Sequence, residues 1–460
     1  MQDHELLEKI AQTLQNADLK TGKRLIKHKS AAQLGEILEL EKPSEQDWDQ
    51  LFVWTQQYLD YSPDTNHSGF ANRMWTGANM PSILGEIIAA FSNTSSCTFE
   101  SAPVATLMEN YMLGQMLDIV GFKNGEGQMT TGSSNANMIA MMVARNQALK
   151  NAKQQGLFSS QPLRAFVSCD AHYSLDKAAN ILGIGTDNLI KVPTDNNGEM
   201  DILALEKAIQ NTQNSGGIAF FVCATLGTTV RGAYDNIEKL IQLKNKHNFW
   251  LHGDGAWGGA AIMSATLKGK FLSAIEQLDS FTMDFHKMLG SNLMCNFLLL
   301  KQQNLLSCTC ADGDNSYIFR DKIADSGANS LQCGRRVDSL KWFLDWKFYG
   351  RQGFADRVEG YYKLVKFAEN FIIANDELEM VVERSSFNLC FRFKAPNANV
   401  FNQKLRCKLL QSEQALFALA YIQKKLVFRL LVCNINLDKV KLTELLNRLI
   451  KTGKALQNNA

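Results

Sequence analysis

The sequence lacks three features that would point to a particular partner or compartment. Its net charge is only +2, from 48 basic and 46 acidic side chains, so no charge excess favours nucleic acid or an anionic membrane as a partner. The longest nearly uninterrupted apolar run, Gly216 to Gly227, is too short to span a bilayer. The N-terminal stretch is charged and amphipathic, which argues against a secretory signal. We therefore expect a cytoplasmic protein with no nucleic-acid or membrane partner.

Paired cysteines are also missing. The ten cysteines include no C-x-x-C pair. Cys308 and Cys310 are closer together than in a usual zinc knuckle, and no histidine cluster accompanies them. This usage is typical of reduced thiols in the cytosol, and it predicts no metal site.

What the chain does contain is a long alternation of short apolar strands with helices of 10–15 residues. The predicted strands cover residues 128–131, 165–169, 189–192, 219–225, 250–254, 280–286 and 296–300. Such βαβ units predict a parallel sheet that is buried on both faces. Ligands of parallel sheets bind beyond the carboxyl ends of the strands, so we expect the site there.

The 460 residues also suggest more than one domain. Helical periodicity before residue 75 predicts an N-terminal helical arm over 1–75. The sheet-forming segment predicts a large domain over 76–350. Beyond it, helices, two apolar strands near 389–393 and 426–432 and a last helix predict a small α+β domain over 351–460.

Four segments that follow predicted strands carry groups that a phosphorylated pyridine aldehyde would need. Ser133 and Ser134 follow Gly132 in a turn that opens a helix, where free N–H groups and hydroxyls can hold an anion. Asp254 follows a strand among glycines and can pair with a protonated ring nitrogen. The same turn is also an ordinary helix cap, and the same aspartate an ordinary turn residue.

The other two segments contain Lys287 and His172. Lys287 closes an apolar strand directly after His286, and a lysine in that position can form an imine when a neighbour keeps its amine reactive. His172 follows another strand and can stack on a planar ring. A surface lysine and a loop histidine are the alternatives for these two positions.

The order of these segments resembles the group II pyridoxal-phosphate-dependent decarboxylases, in the branch of glutamate, cysteine sulfinate and aspartate decarboxylases. The similarity runs from about residue 67 to about residue 448. The matching stretches are NTSSCTFESAPVATLME, ALKNAKQQG, AHYSLDKAANILGIGTDNLIKVPTD, ATLGTTVRGAYDNI, WLHGDGAWGGAAIMS, DFHKMLG and LQCGRRVDSLKWFLDWKFYG.

The resemblance implies an α/β protein of the aspartate-aminotransferase type, PLP fold type I. It has a mostly parallel seven-stranded sheet, a helical N-terminal arm and a small α+β C-terminal domain. The implied cofactor is pyridoxal 5′-phosphate, and the implied assembly is a homodimer with shared active sites. The implied cofactor residues are Lys287 for the Schiff base, Asp254 for the ring nitrogen, His172 for the ring face, Ser133, Ser134 and His286 for the phosphate, and Thr225 and Ala256 for packing.

By the same resemblance, the reaction is α-decarboxylation of a small acidic L-amino acid, with release of CO₂ and the amine. Arg429 matches an arginine that binds a substrate carboxylate. Arg73 and Trp75 lie in a substrate-pocket stretch where glutamate decarboxylases have Gln and a small residue. Added bulk and a guanidinium favour a short dianionic substrate such as aspartate or cysteine sulfinate. Pairing of Arg73 with a structural carboxylate is the alternative.

The chain departs from the family pattern at several positions. Gly253 and Gly255 stand where larger residues are usual, and Phe285 stands where proline is common. In the stretch 308–331, which resembles a mobile catalytic loop, Ala324 replaces a tyrosine that protonates the substrate carbon, and Tyr317 lies seven residues earlier. His172, Tyr317 and water therefore remain alternative proton donors. Action on diaminobutyrate or an aromatic amino acid, aldehyde formation, and cofactor binding without turnover are the alternative functions.

Overall fold

The structure is a computed structural model that describes residues 3–16, 24–42, 47–158, 160–311 and 325–458. The chain divides into two compact units. The first comprises Met1–Gly77, Leu364–Val382 and Leu389–Ala460, and the second comprises Ala78–Lys363 and Glu383–Asn388. The residues predicted as an N-terminal arm thus share a unit with most of those predicted as a small domain. The three-part division itself stays a prediction.

Twelve strands occur among the described residues. They are β1 (Phe70–Ala71), β2 (Glu126–Thr130), β3 (Leu163–Ser168), β4 (Leu189–Val192), β5 (Ile218–Thr225), β6 (Trp250–Asp254), β7 (Ser280–Asp284), β8 (Asn296–Leu300), β9 (Leu378–Met380), β10 (Asn388–Phe393), β11 (Leu416–Ile422) and β12 (Lys425–Leu431).

The α-helices of the described residues are α1 (Asp3–Asn16), α2 (Ala31–Ile37), α3 (Trp48–Tyr61), α4 (Met80–Ser92), α5 (Pro103–Val120), α6 (Ser133–Ala148), α7 (Ala152–Gln155), α8 (Ser174–Ile181), α9 (Ile202–Asn214), α10 (Ile237–His247), α11 (Ala265–Phe271), α12 (Leu305–Cys310), α13 (Ser339–Ile373), α14 (Ala398–Gln411) and α15 (Lys439–Asn458). None of these helices is long and apolar enough to cross a bilayer.

The second unit is built on a seven-stranded sheet with the order β2-β8-β7-β6-β5-β3-β4. Strands β7, β6, β5, β3 and β4 pair in parallel, and β8 is antiparallel to both of its neighbours. The strands are almost wholly buried, because helices cover both faces of such a sheet. The predicted mostly parallel seven-stranded sheet is confirmed.

Helix α6 shows how the sequence attaches a helix to this sheet. Its buried apolar residues recur at helical spacing, so one face of the helix is continuously apolar: Ala136, Ile139, Ala140, Val143 and Ala144. That face packs in one core with residues of β3, β5, β8 and α8. The packing fixes the helix start, which immediately follows β2 and Gly132.

The first unit contains a five-stranded sheet with the order β1-β11-β12-β10-β9. The two-residue strand β1 pairs in parallel with β11, which ties the predicted arm to this sheet. Strands β11 and β12 form a hairpin whose turn residues, Gln423 and Lys424, both have positive φ. The predicted strand pair was therefore incomplete, because β11 and β9 were not foreseen.

Candidate active site

The carboxyl ends of neighbouring parallel strands bring the predicted cofactor residues of the second unit to one edge of the sheet. Thr225 at the end of β5 pairs in register with Asp254 at the end of β6, and Asp254 pairs with Thr282 of β7. Lys287 follows β7 after a short turn, because β7 ends at Asp284 rather than at the predicted residue 286. This edge is where the parallel topology predicts a site.

Asp254 is a buried carboxylate held by two donors. Asn137 of α6 donates from Nδ2 to Asp254 Oδ2 at 2.8 Å, and the backbone N–H of Ala256 donates to Oδ1 at 3.1 Å. The same Asn137 amide group also donates to Ser174 Oγ at 3.0 Å. These bonds hold the carboxylate at the strand end in one orientation, as a group that pairs with a ring nitrogen requires.

A chain of hydrogen bonds behind Asn137 has a single direction. Asn137 uses its NH₂ group on the carboxylate, so its Oδ1 accepts from His252 Nε2, 2.9 Å away. Because that nitrogen carries the hydrogen, His252 Nδ1 accepts from Ser280 Oγ at 2.8 Å, and Ser280 in turn accepts from Trp250 Nε1 at 2.8 Å. Burial lowers the pKa of His252 to about 4, which keeps the ring neutral as this chain requires.

Lys287 lies against a second buried carboxylate, Asp284. Its Nζ is 2.8 Å from Asp284 Oδ2. The other oxygen, Oδ1, accepts from Asn296 Nδ2 at 2.6 Å, and Asn296 Nδ2 also lies 3.2 Å from Ser133 Oγ. Hydrogen bonds thus connect the predicted Schiff-base lysine to the predicted phosphate turn.

The two predicted site histidines differ in their surroundings. His172 accepts from the backbone N–H of Ser174 at 3.2 Å through Nδ1. Burial lowers the pKa of His172, the negative charge of Asp254 raises it, and the positive charge of Lys287 lowers it. His286 is buried with Nδ1 against the backbone of Cys295 and Nε2 3.6 Å from Asp284. Its predicted role as a phosphate ligand stays a prediction.

The turn before α6 leaves backbone N–H groups and two hydroxyls at the start of a helix. Gly132 has φ of 107°, a left-handed conformation that side chains disfavour, and it caps α6 without a side-chain bond. Ser133 and Ser134 then form the first helical residues, where N–H groups have no partner within the helix. Within the described residues, the buried Thr225 Oγ1 has no hydrogen-bond partner, so it suits a polar contact with a ligand at this edge.

The departures from the family pattern are explained by packing. A Cβ atom at Gly253 would lie 2.6 Å from Leu278 Cδ1, and one at Gly255 would lie 2.9 Å from Phe281 Cζ. Large neighbouring side chains therefore occupy the volume that larger residues would fill. Phe285 is fully buried, with its ring centroid 5.0 Å from that of Trp342, so it serves as a core residue before the His-Lys pair.

The three predicted substrate residues belong to the first unit. Arg429 on β12 is nearly buried and donates from Nη2 to the carbonyl of Asn72 at 3.1 Å. Burial lowers the pKa of Arg429, and the positive charge of Arg73 lowers it further. Trp75 packs on Phe70 with ring centroids 5.9 Å apart. Part of the bulk of Trp75 therefore serves the core of this unit.

Ala324 and Tyr317 lie outside the described residues, as does most of the predicted loop 308–331. No group of three or more His, Cys, Asp or Glu side chains within the described ranges could hold a metal ion.

Four residues of the edge were not singled out from the sequence, namely Asn137, His252, Asp284 and Asn296. Two of them lie in strands next to predicted site residues: His252 is two residues before Asp254, and Asp284 is three before Lys287. Their signal was polarity within a strand that is otherwise apolar. A buried polar group needs a partner, and that need marks it as a candidate.

Comparisons with known proteins agree with this arrangement. Residues 32–394 match the family described as the pyridoxal-dependent decarboxylase conserved domain. Cysteine sulfinic acid decarboxylase of Mus musculus is 36% identical over 375 residues, which cover 80% of this chain and 76% of the relative. The acidic amino acid decarboxylase GADL1 of Mus musculus is 35% identical over 371 residues, covering 79% and 67%. The crystal structure of mouse CSAD in apo form has a TM-score of 0.94 and 31% identity, with 98% of both chains covered. This chain belongs to the pyridoxal-dependent decarboxylase family.

Proposed function

We propose that this carboxy-lyase removes the α-carboxylate of a small acidic L-amino acid. The observation that carries the proposal is the placement of Asp254 at the end of β6 and of Lys287 just after the adjacent parallel strand β7, each held by buried polar partners. When bound, pyridoxal phosphate supplies an electron-poor ring that stores the electron pair left by CO₂. The chain's own residues bind and orient the reacting groups.

The residues at the sheet edge fit that cofactor. The uncapped start of α6 offers N–H groups and the hydroxyls of Ser133 and Ser134 to a phosphate, and the helix dipole favours an anion there. The orphaned hydroxyl of Thr225 offers one more polar contact. The remaining assignments are Asp254 for the ring nitrogen, His172 for the ring face, Ala256 for packing, His286 for the phosphate and Lys287 for the covalent link.

The acidic substrate class rests on two guanidinium groups of the first unit and on the relatives. Arg73 acts on Arg429 as a like charge, and Arg429 is already disfavoured as a cation by burial. A bound anion would relieve both costs. The relatives named above include a cysteine sulfinic acid and an acidic amino acid decarboxylase. We therefore assign Arg429 and Arg73 to the distal acid group, and Trp75 to the length of the pocket.

A borohydride trap tests the cofactor assignment. Reduction of the purified enzyme should fix the cofactor on Lys287, as shown by peptide mass spectrometry. Lys287→Ala should abolish both the trapped adduct and CO₂ release. Lys301→Ala is the matched control, because Lys301 follows the neighbouring strand β8, and it should behave like the parent. Cofactor trapped on another lysine would overturn the assignment of Lys287.

A substrate panel tests the reaction and its specificity. We expect CO₂ and amine from aspartate or cysteine sulfinate at least as fast as from glutamate, with neutral and aromatic amino acids poor. Aldehyde formation with oxygen consumption, or no turnover at all, would overturn the proposed reaction.

A double variant, Arg73→Gln with Trp75→Ser, tests the pocket. Loss of a charge-assisted hydrogen bond of about 1.5–3 kcal/mol should lower kcat/KM for aspartate and cysteine sulfinate by about ten- to a hundred-fold, and the space left by Trp75 should shift the preference toward the longer glutamate. The pocket assignment would be wrong if the parent strongly preferred glutamate and the variant kept the same selectivity. Arg73 and Trp75 would then have only a structural role.

We also propose a homodimer. Helix α4 exposes Leu84, Ile87 and Phe91 at helical spacing, and α5 exposes Val104 and Leu107 in the same way. Contiguous apolar faces of this kind are typical of subunit interfaces. Because the family resemblance implies a homodimer, we propose that a second copy of this chain covers these apolar faces.

Sedimentation of a charged variant tests the dimer. Leu107→Asp should weaken or abolish association, because an unpaired carboxylate would be buried at the interface. Leu203→Asp is the control, since Leu203 is an exposed leucine on α9, away from α4 and α5 in the chain. An active monomeric parent would contradict the proposal.

The cytoplasm is the proposed compartment. All ten cysteines lie among the described residues and none of them forms a disulfide there, as is usual in a reducing compartment. Fractionation of cells that produce the protein should place it with cytosolic enzymes, and recovery from an oxidising compartment would contradict this.

A further inference from the structure

Asp284 is a buried charged group of the site that no role described above requires. It is the last residue of β7 and is only 2% exposed. Its Oδ2 is 2.8 Å from Lys287 Nζ, so it contacts the atom that would carry the cofactor. A carboxylate removed from water is costly unless it is paired and hydrogen-bonded, and both conditions are met here.

The surroundings keep Asp284 ionised and fixed. Burial alone would raise its pKa, but the charges of Lys287 and His286 and hydrogen bonds from Lys287 and Ser133 lower that pKa below its ordinary value. Asn296 Nδ2 holds the second oxygen at 2.6 Å. His172, Asp254, Lys177 and Lys341 are the other charged or titratable groups around this pair. Asp254 and Lys177 act on the pKa of His172, and Lys341 acts on the pKa of His286.

We propose that Asp284 is the counter-ion of the Lys287 nitrogen, a positioning residue that keeps this nitrogen protonated and directed when the cofactor is attached. The proposal rests on the proposed role of Lys287. A protonated nitrogen draws electrons from the carbon to which it is joined, so the amine of the substrate attacks that carbon more readily. In that exchange one C–N bond forms, another breaks, and the proton passes from the incoming to the outgoing nitrogen.

The isosteric change Asp284→Asn isolates this effect. The amide oxygen can still accept from Asn296, which leaves the NH₂ group facing Lys287. An NH₂ group repels a protonated nitrogen and donates to a neutral one. The variant therefore favours the neutral form of the Lys287 nitrogen, whereas the parent favours the protonated form. An opposite charge at this distance shifts a proton equilibrium by about one to three pH units, so the variant should lose its proton at a correspondingly lower pH.

The readout is the visible absorption of the purified holoenzyme, whose band changes when the linked nitrogen loses its proton. We expect the titration midpoint to fall by about one to three pH units in Asp284→Asn. Asp284→Glu, which keeps the charge, should restore part of that change. Asp279→Asn is the matched control, because Asp279 directly precedes β7 and its carboxylate is 2.5 Å from Lys244. It should titrate like the parent.

The parent enzyme alone gives a second test that needs no variant. A buried counter-ion is poorly screened, so the midpoint should stay constant as salt rises from about 0.05 to 0.5 M. A midpoint that moves strongly with salt, or one that is equal in the parent and Asp284→Asn, would overturn the role of Asp284. Borohydride trapping on Lys287 in the same samples separates that result from failure of the cofactor assignment, which would show the adduct on another lysine.

Discussion

Replacing His252 by glutamine would test whether the hydrogen-bond chain behind Asp254 has the single direction that its geometry requires. Glutamine can still donate to Asn137 Oδ1 and accept from Ser280 Oγ, but it cannot take up a proton in the physiological range. The ring of His252 also lies 5.8 Å from that of Phe221, so the variant loses packing. At pH 8 we expect it to be less stable than the parent by about 1–3 kcal/mol.

The pH dependence follows from the lowered pKa of His252, which burial reduces from 6.5 to about 4. Above pH 6.5 the ring is neutral in both the folded and the unfolded chain, so its contribution to stability is complete. As the pH falls from 6.5 toward 4, only the unfolded chain takes up the proton, and the parent loses stability. One pKa unit is worth about 1.36 kcal/mol, so the loss is about 3 kcal/mol across this window.

The assay is the denaturant midpoint of the parent and the variant between pH 4 and 8, and only their difference isolates His252. Burial raises the pKa of Asp235 to about 7, so the folded state holds that proton and gains stability as the pH falls in both proteins. The difference between the two proteins should shrink or change sign toward pH 4. A difference that is independent of pH would show that His252 is not held neutral and that the chain has no fixed direction.

Three further predictions concern the same edge of the sheet. Asp254→Asn should retain the cofactor but lose most CO₂ release, because an amide cannot hold a ring nitrogen protonated; near-parental turnover would remove Asp254 from this role. Asn137→Ala should lower the unfolding free energy by about 2–5 kcal/mol and alter the absorption of the bound cofactor. The control is Asn402→Ala, which removes a buried asparagine of the first unit and should change only stability. Gly255→Ala should cost about 1–3 kcal/mol by overpacking against Phe281, and Phe281→Leu should recover part of this loss if the contact is the cause.

The parallel sheet could be predicted from the sequence because its strands are buried on both faces and therefore appear as short apolar runs between helices. The strands Leu189–Val192, Trp250–Asp254 and Asn296–Leu300 have the predicted limits. Where a polar residue lies just inside or outside a run, as at the end of β7, the boundary moved by one or two residues. Hydrogen bonding rather than hydrophobicity decides such positions.

The first unit was harder to predict, since its turns and pairings carry weak local signals. The β11–β12 hairpin turns at Gln423 and Lys424, which adopt positive φ without the glycine or asparagine that usually marks such a turn. Strand β1 has only two residues, and it is a strand because β11 lies beside it. The turn lacks the residue types that mark such turns, and β1 depends on a partner far away in the chain, so neither feature can be detected in a short window of sequence.

The site shows the same division between local and distant signals. The groups that carry the proposed chemistry follow strands and were placed at strand ends from the sequence alone, although their roles stay predictions. The residues that hold these groups were not foreseen, because each contact joins segments far apart in the chain. Asn296 lies 163 residues from Ser133, and Asn137 lies 117 residues from Asp254.

Spacing by itself does not reveal which lysine is reactive. Asp338 and Lys341 repeat the spacing of Asp284 and Lys287, and both pairs are 2.8 Å apart. The side chain of Lys341 is only 1% exposed and also binds Glu86, so two carboxylates fix it as part of the structure. Lys287 is 20% exposed and, among the described residues, pairs with one carboxylate. A single counter-ion and an open face leave its amine available to a ligand, and this difference appears only when the chain is folded.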